Sequence, residues 1–143
     1  MDQQLQRFQF ALQSFMHEMQ SDILKKMKAQ ITGPQMFMLH FIIKHGPCKL
    51  TKIAEKMEVK PSAVTVMIDR LEKSGYVNRV QDKADRRAIL VEGTAQGKEV
   101  LEQATRERNE ILEHYLSRLE ADEARLLTEL LEKMVQTSSP DPS

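Results

Sequence analysis

Eleven basic side chains (Lys44, Lys49, Lys52, Lys56, Lys60, Arg70, Lys73, Arg79, Lys83, Arg86 and Arg87) fall between residues 44 and 87, against six acidic ones. Over the whole chain Lys+Arg and Asp+Glu both number 21, so the cationic middle is balanced elsewhere, chiefly by the acidic stretch 88–143. Clustered cations suit phosphate, because much of the affinity for a polyanion comes from displaced counterions. Ser62 and Thr65 follow Pro61 at the start of an apolar-periodic stretch, and Arg86 and Arg87 sit in a polar run. Hydroxyls at a helix N-terminus and arginines on a loop can meet phosphates and base edges. The competing reading is a solvated lysine-rich face, with Ser62 helping to cap a helix and the arginines paired with Asp82 and Asp85.

Other chemistries find less support. No nucleophile–base motif, phosphate-cradling glycine loop or paired-carboxylate signature appears, so an enzyme is not expected. Glu110 and His114 are four apart and share a helix face, whereas His40 and His45 are five apart and do not. No dense ligand cluster exists, and neither metal nor cofactor is expected. The single cysteine, Cys48, excludes an intramolecular disulfide and fits a reducing compartment. Lys49 beside it could lower its pKa, which leaves a redox role open against that of a small semi-buried residue.

The elements that must hold these residues follow from periodicity. Leu5, Phe8, Leu12, Phe15, Met16, Met19, Ile23 and Met27 recur at three- and four-residue steps, predicting a helix with one apolar stripe that ends before Thr32-Gly33-Pro34. Pro34 suits the first turn of a second helix through Met36–Ile43, apolar on nearly every side and so expected to be enclosed. Leu50, Ile53, Ala54 and Met57 mark a third helix, and Val64, Met67, Ile68 and Leu71 a fourth, joined through Glu58-Val59-Lys60 and ended at Ser74-Gly75. Runs 76–80 and 88–91 predict a hairpin around the charged tip Gln81–Arg87. Thr94 is placed to cap a helix carrying Val100 to Leu119, and a last helix carries Ala124 to Val135. The tail 137–143 is expected to be disordered.

Helix, tight connection, helix and cationic hairpin is the order of a winged helix-turn-helix, whose second helix can enter a major groove. If Val64, Ile68 and Leu71 face the core, Ser62, Thr65, Val66, Asp69 and Lys73 face outward. The expected fold is therefore mainly α with a small β-hairpin wing.

These residues resemble the MarR family of bacterial regulators. The likeness runs through Leu50–Met57, Pro61–Thr65, Ile68–Val77, Asp82, Asp85-Arg86-Arg87 and Thr94–Gly97. It covers about residues 5–136 in helix order and is specific over 50–97. It implies a single domain over 1–136, with a winged helix-turn-helix at about 34–93 and dimerisation helices at about 3–30 and 95–136. By the resemblance Arg87 enters the minor groove with Asp85 orienting it, and the helix from Pro61 reads the major groove. The implied DNA contacts are Lys60, Pro61, Ser62, Ala63, Thr65, Val66, Arg70, Lys73, Lys83, Asp85, Arg86 and Arg87. An effector pocket would involve Met16, Met19, Met36 and His40, with core packing as the alternative for each.

Three departures from the family pattern carry consequences. Val66 stands where many relatives have a polar base reader, which favours a thymine methyl contact. Gly93 replaces a large apolar residue, predicting a looser strand-to-helix junction. Lys60 stands where a Ser, Thr or Asp cap is common.

The function expected is a homodimeric repressor of palindromic double-stranded operators, released by a small-molecule effector. The alternatives are a winged-helix protein-interaction module, or a ligand, metal or redox sensor with weak DNA binding. No apolar run approaches the roughly 18–20 residues of a membrane span, and no secretory signal is evident, so a cytoplasmic location is expected.

Overall fold

The computed structural model describes residues 2–135. In chain order it comprises α1 (Asp2–Lys26), α2 (Gly33–His45), β1 (Cys48–Lys49), α3 (Leu50–Met57), α4 (Pro61–Lys73), β2 (Val77–Gln81), β3 (Ile89–Gly93), α5 (Ala95–Leu116) and α6 (Ala121–Val135). The tail 137–143 lies outside the described residues. The described residues form two compact units, one of residues 29–105 and one of residues 2–28 with 106–135, so that α5 contributes to both.

Unit 29–105 is a winged helix-turn-helix. Its core gathers Met38, Leu39, Phe41 and Ile42 of α2, Ile53 and Ala54 of α3, Val64, Ile68 and Leu71 of α4, and Val77 and Val91 of the sheet. Eight of these are wholly inaccessible, which removes them from water on every side and supplies the main drive for folding. Helix α2 is not enclosed all round as its composition suggests, for Phe37 is 49% exposed and His40 is exposed. Thr32 is its N-cap: Thr32 Oγ1 accepts from Gln35 N at 3.2 Å and Gln35 Oε1 accepts from Thr32 N at 3.0 Å. This reciprocal pair satisfies two helix-end donors at once.

The sheet holds one strand more than the expected hairpin. Its order is β1-β3-β2, all antiparallel, with Cys48 opposite Val91 and Lys49 opposite Leu90. The wing ladder runs from Val77 opposite Gly93 to Gln81 opposite Ile89. Two residues cannot announce a strand by alternation, which is why β1 escapes a periodicity reading.

Two junctions aim the wing. After α4, Gly75 takes φ 83°, and Tyr76 N donates to Leu71 O at 2.9 Å, closing the helix in the left-handed turn that glycine tolerates. Before α5, Thr94 Oγ1 accepts from Gly97 N at 2.9 Å and donates to Gly75 O at 2.6 Å, so one hydroxyl caps α5 and ties it to the end of α4. The junction at Gly93 is not loose: a Cβ there would lie 2.5 Å from Ile43 Cγ1, so Ile43 already fills the space.

In the other unit, α1 and α5 are joined by Phe15 edge-on to Tyr115 at 5.2 Å and by the Tyr115 hydroxyl donating to Asp22 Oδ2. Removal from water, helped by this bond, pushes the Tyr115 phenol up to about 12. The same bond, with Lys26 nearby, lowers the Asp22 carboxyl below its ordinary value against the opposing effect of burial. Arg118 lies over the Tyr115 ring at 5.1 Å and pairs with Glu18 at 3.5 Å.

Candidate nucleic-acid interface

Helix α4 divides cleanly into two faces. Val64, Ile68 and Leu71 are buried, while Ser62, Ala63, Thr65, Val66, Asp69, Arg70 and Lys73 are exposed. The spacing of 3.6 residues per turn dictates this division once the apolar set is inside. Lys60 is the N-cap and makes no side-chain capping bond, with Pro61 following in the first turn. Lys60 O accepts from Ala63 N at 3.0 Å and Val64 N at 3.2 Å. Among the described residues the Ser62 hydroxyl has no hydrogen-bond partner, so the capping role open to it in sequence is not the one it takes. Thr65 Oγ1 donates back to Pro61 O at 3.1 Å within its own helix.

The α3–α4 connection turns through Glu58, a non-glycine residue at φ 55°. Its N–H groups with that of Val59 return to α3: Glu58 N donates to Glu55 O at 3.2 Å, and Val59 N to Ala54 O at 3.1 Å. The left-handed residue closes α3 and sets the start of α4.

The wing tip is built by its own acids. Asp82 Oδ1 accepts from Ala84 N at 3.0 Å and Asp85 Oδ1 accepts from Arg87 N at 3.0 Å, both local turns of the kind Asp favours. Gln81 Nε2 donates to Arg86 O at 2.7 Å. Among the described residues Arg86 and Arg87 make no ion pair, so pairing with Asp82 or Asp85 does not consume their charge. Asp85 holds the Arg87 main chain, not its guanidinium. Lys83, Asp85, Arg86 and Arg87 are all exposed.

Sequence reasoning overlooked Arg79. From β2 its guanidinium donates to Asp69 Oδ1 at 2.6 Å and to Glu72 Oε1, both on α4. Its backbone N–H donates to Glu72 Oε2 at 3.3 Å. The bond to Asp69, with Glu72 adding to it, raises the Arg79 pKa above its ordinary value despite partial burial. The available signal was two carboxylates three apart on a helix, with an arginine just beyond the glycine turn.

Cys48 is 6% exposed, and its Sγ lies 4.0 Å from Val91 O. Burial pushes its thiol up, and the nearby cation pulling the other way is Lys52, not the adjacent Lys49. A raised pKa disfavours the reactive thiolate on which the redox reading depended. Of the expected effector residues, Met16 is exposed and Met19 half-buried in the unit carrying α1; Met36 is buried and His40 exposed in the other unit.

The comparison with known proteins decides the family. Residues 31–89 match the MarR family model. The chain is 37% identical over 141 residues to the HTH-type transcriptional repressor MdtR of Bacillus subtilis, covering 98% of this chain and 91% of that protein. The chain belongs to the MarR family. Members of the MarR family are DNA-binding transcriptional regulators, not enzymes, and this MarR-family chain is one of them. It is similar to the crystal structure of the YusO protein of Bacillus subtilis, with a TM-score of 0.81 and 37% identity, over 96% of this chain and 98% of that one. It is also similar to a MepR-like protein solved with pseudoligands, with a TM-score of 0.65 and 41% identity over 90% and 92% of the two chains. Among the described residues of this MarR-family chain, no helix is long and apolar enough to cross a membrane.

Proposed function

We propose that this protein is a cytoplasmic homodimeric repressor that binds palindromic operators and releases them when a small molecule binds. The observation that carries this reading is the pairing, in one unit, of the exposed face of α4 with a wing whose tip arginines, Arg86 and Arg87, make no ion pair among the described residues. In this reading α4 enters the major groove with Lys60, Pro61, Ser62, Ala63, Thr65, Val66, Arg70 and Lys73 at its surface. The wing delivers Lys83, Asp85, Arg86 and Arg87, with the arginines at phosphates or in a narrow minor groove that attracts them.

The dimeric part of the proposal is supported by exposed apolar surface. Leu5, Phe8, Leu12 and Phe15 of α1 and Leu127, Leu130, Leu131 and Met134 of α6 are 42–63% exposed. Soluble monomers rarely leave such contiguous stripes in water. Two-fold symmetry then places half-sites about one helical turn, roughly 10 bp, apart. Release by an effector rests on differential affinity: a ligand that binds one arrangement of the dimer more tightly favours a dimer whose reading helices no longer match that spacing. Support for a pocket comes from the nine methionines of the chain, flexible lining for an apolar ligand, and from the pseudoligands held by the MepR-like relative.

The test is selection of bound duplexes from a random library with purified protein at physiological salt, then affinity for the winner against scrambled DNA. A palindrome preferred by about 10³-fold or more is expected. Weak binding without enrichment overturns the operator reading, and salt-insensitive capture of a protein partner favours an interaction module.

A further inference from the structure

On the outward face of α4, Ser62, Val66, Asp69 and Lys73 follow one another at three- and four-residue steps, with Thr65 beside Val66. Residues so spaced lie along one stripe. Val66 sits on this stripe and is 51% exposed. Of its neighbours over these two turns only the exposed Ser62 hydroxyl is without a partner among the described residues, and a serine can donate or accept at either kind of base pair. The Thr65 hydroxyl hydrogen is committed to Pro61 O at 3.1 Å. The Asp69 carboxylate, which could otherwise accept from a cytosine amine, is held by Arg79 at 2.6 Å. Ala63, also exposed, has only a methyl group.

Over its first two turns this face therefore lacks Arg, Lys, Asn and Gln, the side chains that make bidentate contacts with guanine or adenine. Cations bracket it instead: Lys60 precedes it and Arg70 and Lys73 follow, all exposed and, among the described residues, without ion pairs. An isolated valine in a cationic frame is a poor seat for an apolar protein surface. It is well matched to a groove that is polyanionic at its rims and carries methyl groups on its floor. In the major groove that methyl group is thymine's, at C5.

We infer that Val66 is the specificity-determining residue of the reading helix, and that it selects thymine by packing against the 5-methyl group. The inference rests on the proposed reading of α4 as the major-groove helix. Apolar contact is graded and non-directional, so the preference at this base pair is for a methyl group in the groove and not for a donor–acceptor pattern.

The test takes the duplex selected by the full-length protein and replaces its thymines with uracil one symmetric pair at a time. Each replacement removes the methyl group and leaves base pairing unchanged. Loss of one buried methyl corresponds to roughly a 4-fold loss of affinity per half-site, hence about 15-fold for a symmetric pair. One pair of positions is expected to show this loss, and Val66→Ala protein is expected to bind the thymine and uracil duplexes equally. The uracil series leaves the protein untouched, so it reads the contact even if a variant folds poorly. If a palindrome is selected but no uracil replacement weakens binding, the methyl inference is overturned while the operator reading stands. If Val66→Ala still prefers thymine at that position, another residue is the reader and the inference also fails. If no duplex is enriched, both fail together.

Discussion

Arg79 on the wing strand β2 reaches back to Asp69 on α4 at 2.6 Å, so the wing and α4 are joined by an ion pair. Glu72, one helical turn further along α4, takes the other guanidinium nitrogen. An arginine fork shared by two carboxylates fixes direction as well as distance. The wing and α4 thus keep a set angle before any DNA arrives.

Arg79→Ala is expected to weaken DNA binding by disturbing this angle and to lower stability by about 1 kcal/mol, the upper end for ion pairs whose carboxylates are partly in water. Arg79→Lys should recover only part of either property, because an ammonium cannot span two carboxylates in a planar fork. Denaturant unfolding beside DNA titration measures the two. Unchanged affinity with reduced stability would confine Arg79 to the fold.

Arg87 and Asp85 should separate in salt titrations. Arg87→Ala removes a cation and is expected to weaken binding to all sequences while reducing the slope of log affinity against log salt by about 1. Asp85→Ala keeps that cation but loses the bond to Arg87 N, seen at 3.0 Å. It should weaken binding through the shape of the tip, with the slope nearly unchanged. Equal slope changes for both variants would contradict this assignment.

Gly97 stands against a backbone atom. A Cβ there would fall 2.2 Å from Tyr76 O, the same carbonyl that accepts from Thr94 N at 3.1 Å. Gly97→Ala is expected to cost about 1–3 kcal/mol by overpacking. Chemical unfolding midpoints measure it. Gly93→Ala meets the Ile43 side chain instead of backbone, so Ile43→Ala should relieve it, whereas no second-site truncation should rescue Gly97→Ala.

Tyr115 predicts a loss of stability in base. Its phenol is raised from 10.0 to about 12 in the folded chain. The unfolded chain therefore ionises first, and the stabilisation, complete below about pH 10, is lost as pH rises through about 12. Tyr115→Phe should flatten this decline. In a Tyr76→Phe background, tyrosinate absorbance follows Tyr115 alone, because the chain has two tyrosines. A titration midpoint near 10 would contradict the enclosure of this phenol, and Asp22→Asn should move the midpoint downward by the share that the bond contributes.

The sequence by itself determined what depends on near neighbours. Residues three and four apart on a helix share a face whatever they meet, so the buried set Val64, Ile68 and Leu71 and the outward set Ser62, Thr65, Val66, Asp69 and Lys73 were legible before any coordinates. The Gly75 stop and the Thr94 cap were legible for the same reason, since each works within one helical turn. Tertiary structure decided what depends on distant partners and on water. Cys48 joins Val91 in a strand 43 residues away, and the resulting burial reverses the pKa shift that adjacent Lys49 suggests. Ile43 fills the space at Gly93, and Arg79 gathers Asp69 and Glu72. No periodicity encodes these meetings. They exist because the shared core brings α2, α4 and the sheet together, and desolvation then sets the energy of every group enclosed there.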